Sequence, residues 1–336
     1  MNTKELIQAL PKAELHLHLE GAVPWETVRK NCPDALPESP EWWADDFRYD
    51  DFAQGFSHAM TLNIRYGLQT IDDYHFAAKA IFAKLIAQNV RYVEISFAPI
   101  LIIRKGYACH EIIDAIKSAT PDGLCVRVYG AFNRARPKAI NDLVCNIFCN
   151  TPNLDGVDLH GDERVAGAEG FAPHFAQINA MGLPIRAHAG ELRGADSVID
   201  VLDHLGVRRI EHGTNAIHDD ALIQRLIDDD VTLDMCPTSN LKLNVIDTIE
   251  AHPIRQFYER GVKVTVNTDD PTAFGCSLNS ELALLVDKLG FSLSDLADLQ
   301  RNAFNVANIS DHQRDALMHE LGAWRELVSS CDDGVE

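Results

Sequence analysis

Basic residues are scarce in this chain and long apolar runs are missing, and each shortage removes a class of function. Against 50 acidic side chains stand 30 lysines and arginines, a formal net charge of −20. Such a surface repels nucleic-acid backbones and anionic membranes, so neither is expected as a partner. A small neutral base or nucleoside is compatible with it. The apolar stretch Pro99 to Ile103 is far shorter than the ~20 residues of a membrane-spanning helix. The opening segment, Met1 to Gly21, lacks the basic start and unbroken apolar core of a secretory signal. Cysteine pairing motifs are also lacking. The eight cysteines are scattered, and Cys145 and Cys149 stand at one-turn helical spacing rather than as a zinc-ribbon pair. Reduced, packed thiols in a cytoplasmic protein are therefore expected. No tandem repeat or low-complexity tract is visible.

What is present is a steady alternation over 336 residues, with 46% hydrophobic and 24% charged side chains. Short β-branched runs predict strands over Ala13–His18, Arg91–Phe97, Leu124–Ala131, Gly156–His160, Pro184–His188, Arg209–His212, Thr232–Met235 and Lys263–Asn267. Amphipathic stretches lie between them, and three predicted helices from Ser277 to Val328 form a C-terminal tail. Strand–helix alternation implies a parallel sheet with crossover helices. Eight units favour one closed (β/α)8 barrel, a TIM barrel spanning 1–336, although an open doubly wound sheet shares the local pattern. The stretch 33–65 breaks the rhythm. Rich in Pro, Asp and aromatics such as Trp42, Trp43 and Phe56, it reads either as a lid inserted after the first strand or as a packed surface excursion.

In such a barrel the C-terminal strand ends share one face, where active sites assemble. Polar residues of this chain recur at those ends. His16 and His18, two apart on the first strand, point to the same face and suit two ligands of one metal. His188 ends the fifth strand, and Gly190 lets the chain turn so that Glu191 faces the same cavity. Asp269 and Asp270 follow the eighth strand; two adjacent carboxylates there are costly without a cation or hydrogen-bond donors. A helix N-cap would account for one of them. Three imidazoles and a carboxylate suit zinc with a position left for water, while iron(II), cobalt(II) or manganese would tolerate the same set. Glu191 and His212, after the sixth strand, look like proton-handling groups.

The segments Pro11–Gly21 (PKAELHLHLEG), His188–Glu191 (HAGE), His212–Gly213 and Asn267–Pro271 (NTDDP) resemble the adenosine and adenine deaminases of the amidohydrolase superfamily. Asp158–Glu163 (DLHGDE) and Cys236–Asn240 (CPTSN) fall in the expected order, so the likeness covers essentially the whole chain. It implies one Zn2+ per chain held by His16, His18, His188 and Asp269. Glu191 would protonate purine N1, and His212 with Asp269 would orient the attacking water. Asp270 would meet N7, and the Gly161 backbone would meet N3. The reaction implied is hydrolytic loss of ammonia from a 6-aminopurine, most simply adenosine. The cytidine-deaminase zinc signature, His-x-Glu with Pro-Cys-x-x-Cys, is absent.

Two positions depart from the adenosine deaminase pattern. Glu20 replaces the Asp that contacts the ribose 5′-hydroxyl, as in many adenine deaminases, whereas Gly161-Asp162-Glu163 keeps the nucleoside-enzyme form. Adenosine, free adenine and a 5′-modified nucleoside such as 6-aminodeoxyfutalosine all remain in play. A silent nucleoside-binding module is disfavoured by the intact Glu191. Glu211, before His212, is read as pointing away from the barrel mouth, packed or paired with Arg208 or Arg209. If it pointed inward, it would instead raise the pKa of His212.

Overall fold

The computed structural model describes residues 1–34, 36–99 and 103–332, so most of the Pro99 to Ile103 run lies outside the described residues. Eight strands form one all-parallel sheet in sequential order. They are β1 (Lys12–His18), β2 (Val90–Phe97), β3 (Cys125–Asn133), β4 (Gly156–His160), β5 (Ile185–Ala189), β6 (Arg209–His212), β7 (Thr232–Met235) and β8 (Lys263–Val266). Each matches a strand expected from the sequence to within two residues.

The helices between them follow from capping and spacing. In Ile71–Ala87, Thr70 Oγ accepts the Asp73 N–H (3.2 Å) and the Asp73 carboxylate accepts the Thr70 N–H (2.8 Å). This reciprocal cap satisfies two donors that a helix start leaves without partners. Tyr74, Ala77, Ala78, Ile81, Phe82 and Leu85 then recur at helical spacing and are buried. Asn89, at φ +62°, turns the chain into β2.

The sheet closes on itself at one seam. Strands β8 and β1 share no regular ladder, only a parallel bridge between Leu17 and Asp269. There the Asp269 N–H donates to His16 O (2.9 Å) and the His18 N–H donates to Asp269 O (3.0 Å). Lower down, side chains replace the missing strand partner. The Leu15 N–H donates to Asn267 Oδ1 (2.8 Å), and the Ala13 N–H donates to Gln300 Oε1 (2.9 Å) from the helix Leu293–Val306. The closed barrel, not the open sheet, is the architecture.

Beneath the C-terminal mouth the barrel interior is ionic. Arg186 and Arg209 both reach Glu94, at 3.0 and 2.6 Å, and Arg209 Nε lies 3.0 Å from Asp234. The Tyr92 hydroxyl donates to Glu94 (2.7 Å), and Arg186 stacks 4.5 Å above the Tyr129 ring. Removing one partner from such a buried network leaves an unpaired charge, at a cost of about 3–5 kcal/mol.

The 33–65 stretch is anchored beside the last strand. Trp42 and Trp43 indoles donate to Thr272 O (3.1 and 2.8 Å), and the Tyr49 hydroxyl donates to Ala273 O (2.7 Å). Phe56 stacks on Phe274 with ring centroids 5.4 Å apart. The aromatics thus fasten the segment to the turn that follows Asp269 and Asp270. At the other end of the chain, the tail helix Asp311–Asp332 packs on the first helix, where Trp324 Nε1 donates to Leu6 O (2.9 Å). Among the described residues, no helix is long and apolar enough to cross a membrane.

Candidate functional site

Four buried side chains converge at the seam. His16 Nε2 lies 3.3 Å from His18 Nε2 and 3.2 Å from His188 Nε2, and the last two are 3.1 Å apart. Asp269 Oδ1 stands 3.4 Å from His16 Nε2 and 3.2 Å from His18 Nε2. Tetrahedral coordination at ~2.05 Å sets ligand nitrogens about 3.3 Å apart.

The outer nitrogens fix which lone pairs point inward. The His16 Nδ1–H donates to Asp234 O (3.2 Å), that of His18 to Ser96 Oγ (2.8 Å), and that of His188 to Leu159 O (3.1 Å). Each ring then turns an unprotonated Nε2 toward the other two, an arrangement that is repulsive unless a cation sits between them. The residues therefore fit a divalent metal. A second cluster, Asp158, His188 and Glu211, also gathers three ligand-type groups. Arg186 Nε already stands 3.0 Å from Glu211 there and serves as its cation.

Glu211 corrects the sequence reading. It faces the barrel interior, fully buried, with Oε2 at 2.8 Å from His188 Nδ1. Its ion partner is Arg186 rather than Arg208 or Arg209. The reason lies one residue on. His212 adopts φ +69°, which breaks the two-residue alternation, so neighbours 211 and 212 both turn inward. Asp269, at φ +62°, does the same for itself and Asp270. Left-handed backbone at non-glycine residues is strained and tends to gather at functional sites.

His212 Nε2 lies 3.5 Å from Glu191 Oε1 and 3.9 Å from Asp269 Oδ2. Its Nδ1 accepts from Asn240 Nδ2 (3.1 Å), and Asn240 Oδ1 in turn accepts from Thr214 (2.7 Å) and His252 (3.1 Å). That network places the ring proton on Nε2. Burial, then the charge of His16, holds the imidazole well below its ordinary pKa and keeps it neutral. The Asp269 carboxylate works in the opposite direction but is outweighed, so the net shift is downward, contrary to the rise expected if Glu211 pointed inward.

Glu191 is held by its own loop. Gly190, at φ +66°, makes the turn, and a Cβ there would lie 2.6 Å from Val198. Glu163 accepts the N–H groups of Gly190 (2.9 Å), Glu191 (2.8 Å) and Leu192 (3.2 Å), and also bonds Ser197. Burial, then the charge of Asp269, pushes the Glu191 carboxyl well above the usual carboxylate range. Asp270 is raised likewise by burial and by Asp269. It occupies a helix N-cap position without making a cap hydrogen bond, and its Oδ1 is buried with no partner. A Cβ at residue 21 would fall 1.7 Å from that oxygen, so Gly21 is needed for Asp270 to sit there.

His18, His188, Glu191, His212, Asp269 and Asp270 line one cavity of about 280 Å³, together with Glu20, His160 and Gly161, and His16 lies directly behind them in the four-residue cluster. Glu20 Oε1 accepts the Ala98 N–H (2.9 Å). Every residue singled out from the sequence is thus gathered in one place. Sequence reasoning assigned no task to the bracing residues Ser96, Asn240 and Glu163: the last two lie in segments that carry the family likeness, and Ser96 carries no local signal.

Residues 11–324 match the family model described as adenosine deaminase. The chain is 34% identical to an adenine deaminase of Rhodospirillum rubrum, over 93% of this chain and 96% of that one. It is 31% identical to an aminodeoxyfutalosine deaminase of Streptomyces avermitilis, over 90% and 87%. The crystal structure of an adenine deaminase from Arthrobacter aurescens superposes with a TM-score of 0.86 at 28% identity, covering 94% of this chain and 99% of that one. The chain belongs to the adenosine deaminase family and is a metal-dependent hydrolytic deaminase of adenine- or adenosine-like purines.

Proposed function

We propose that the chain converts a 6-aminopurine nucleoside, adenosine in its simplest form, to the 6-oxopurine and ammonia, with one zinc ion held by His16, His18, His188 and Asp269. The observation that carries this reading is a single cavity in which a raised carboxyl, a neutral imidazole and the four-ligand cluster meet. When bound, the metal acidifies a water so that it becomes nucleophilic at neutral pH. The chain's own residues do the rest.

Glu191, protonated because it is buried beside Asp269, donates to purine N1 and draws electron density away from C6. The His212 Nε2–H and Asp269 orient the attacking oxygen on the opposite side. Oxygen bonds to C6 and N1 keeps its new proton. Of the two protons the attacking water gives up, one passes by way of the Asp269 carboxylate to the 6-amino nitrogen, so that the C6–N bond breaks with ammonia leaving, and the other returns Glu191 to its protonated form. Asp270, its carboxyl also raised, is a donor suited to the N7 lone pair, and the Gly161 backbone suits N3. Each group acts on one centre from a fixed position, which is where most of the rate enhancement of such sites originates.

A second reading, free adenine, is favoured by Glu20. It is one methylene longer than the Asp of adenosine deaminases and narrows the sugar side. One metal-replete preparation assayed by loss of adenine-type absorbance decides between them. Adenosine or a 5′-substituted adenosine should react faster than adenine. Adenine outpacing every nucleoside would replace the first reading with the second.

A further inference from the structure

Beyond the metal cluster the cavity runs outward between the helix Ser57–Gly67 and the turn after β3. Its walls there are apolar, formed by Phe56, Met60, Ile64, Ile140 and Val144. One arginine lines this outer part. Arg136 is half-buried, and its backbone is fixed on both sides. Its N–H donates to Asn133 O (3.1 Å), and its carbonyl accepts from Asn141 Nδ2 (3.2 Å). Asn133 in turn approaches His160 Nε2 (3.3 Å), and the His160 ring lies 5.6 Å from that of His18. The turn bearing Arg136 is therefore tied to the reacting end of the pocket.

The guanidinium itself is uncommitted. Its neighbours are all engaged: Arg134 donates to the carbonyls of Ala166 and His188, Lys138 pairs with Asp142, and Arg164 pairs with Asp162. Among the described residues, Arg136 has neither a side-chain hydrogen bond nor an ion pair. Other cations without a partner, such as Lys4 and Lys79, are exposed on the outer surface, whereas among the described residues Arg136 is the one lysine or arginine that lines this cavity. The inner pocket is lined by the acidic side chains Glu20, Glu191, Asp269 and Asp270 and by no lysine or arginine, so an anionic group on a ligand finds its cationic side chain at the outer end. There the fork of a guanidinium matches two oxygens of a carboxylate or phosphate.

We infer that Arg136 is the counter-ion for a negatively charged group on the substrate, which makes the preferred substrate a 6-aminopurine nucleoside carrying a carboxylate or phosphate on its 5′ side. This rests on the deaminase reading above, and it can fail separately.

The test measures equilibrium binding of deaminated products to metal-replete protein, which needs no turnover. Inosine, inosine 5′-phosphate and a 5′-thioether carboxylate of inosine are compared on the unaltered chain, Arg136→Ala and Arg136→Lys. The unaltered chain should bind one of the anions about tenfold to a hundredfold more tightly than inosine. Arg136→Ala should erase that margin and leave inosine within about twofold, while Arg136→Lys keeps part of it. Whichever anion shows the margin identifies the group as phosphate or carboxylate. The inference is overturned if inosine binds as tightly as both anions, or if Arg136→Ala weakens all three ligands equally. Failure of the deaminase reading would show elsewhere, as no ammonia from any purine.

Discussion

The inner and outer ends of this one pocket are built on different terms. At the inner end the metal-cluster and proton-handling groups stand at or just after strand termini, are buried, and are locked from behind: His18 by Ser96, His16 by the Asp234 carbonyl, Glu191 through Glu163. At the outer end the walls come from the 33–65 stretch and from the turn and helix after β3, with mostly apolar side chains and one guanidinium that has no partner among the described residues. The first end is over-determined by the scaffold, as chemistry demands; the second is made of connecting segments, which can change without disturbing the barrel. On the proposed function and the Arg136 inference, reaction type and substrate identity reside in separable parts of the fold.

Substitutions at the two ends should therefore fail in different ways. The largest effect is expected from His188→Ala, which removes a ligand at the centre of the cluster. Metal analysis should show less than one ion per chain, and ammonia release should be abolished. A variant that kept both metal and turnover would erase the distinction between the two ends.

Glu191→Gln should cut kcat by about 10²–10⁴-fold with metal content unchanged, because the amide has no proton to give N1. The pH profile carries the same signature. Burial and Asp269 raise the Glu191 carboxyl, so the donor proton is present below that raised pKa and lost as pH climbs through it. The unaltered enzyme should lose kcat on its alkaline side, and the residual rate of Glu191→Gln should lack that limb.

A smaller loss, about tenfold in kcat with the metal retained, is expected for Glu163→Gln, because the amide keeps one accepting oxygen and turns an NH2 donor toward loop N–H groups that the carboxylate accepted. At the outer end, Met60→Ala should raise KM for nucleosides about threefold to tenfold and leave kcat within about twofold. If it lowered kcat instead, the outer wall would belong to the chemistry as well as to recognition.

The strands were legible because each is a short β-branched run ending in a polar turn, and the cluster of candidate ligands was legible because its members stand at those ends. Closure was favoured by the count of eight units, but the way the seam is made was not legible, since it depends on Asn267 and Gln300 supplying acceptors to a strand that precedes them by about 250 residues or more. Glu211 was misplaced because alternation was carried through His212, whose left-handed backbone interrupts it. Glu163 could be placed near the site but not given its task, which is set by a fold-dependent approach to the loop after β5. Arg136 is silent in sequence, as one arginine in a turn is ordinary. Its meaning appears only when the groups around it prove to be engaged elsewhere.

The most direct test of the account is a metal titration. Chelator-stripped protein is reloaded with zinc in steps, and ammonia release from adenosine and its 5′-substituted forms is followed against bound metal. Turnover rising linearly from near zero and levelling at one ion per chain is the predicted result. Full turnover in the stripped protein, or a rise that continues to a second ion, would contradict a single-metal site built on His16, His18, His188 and Asp269.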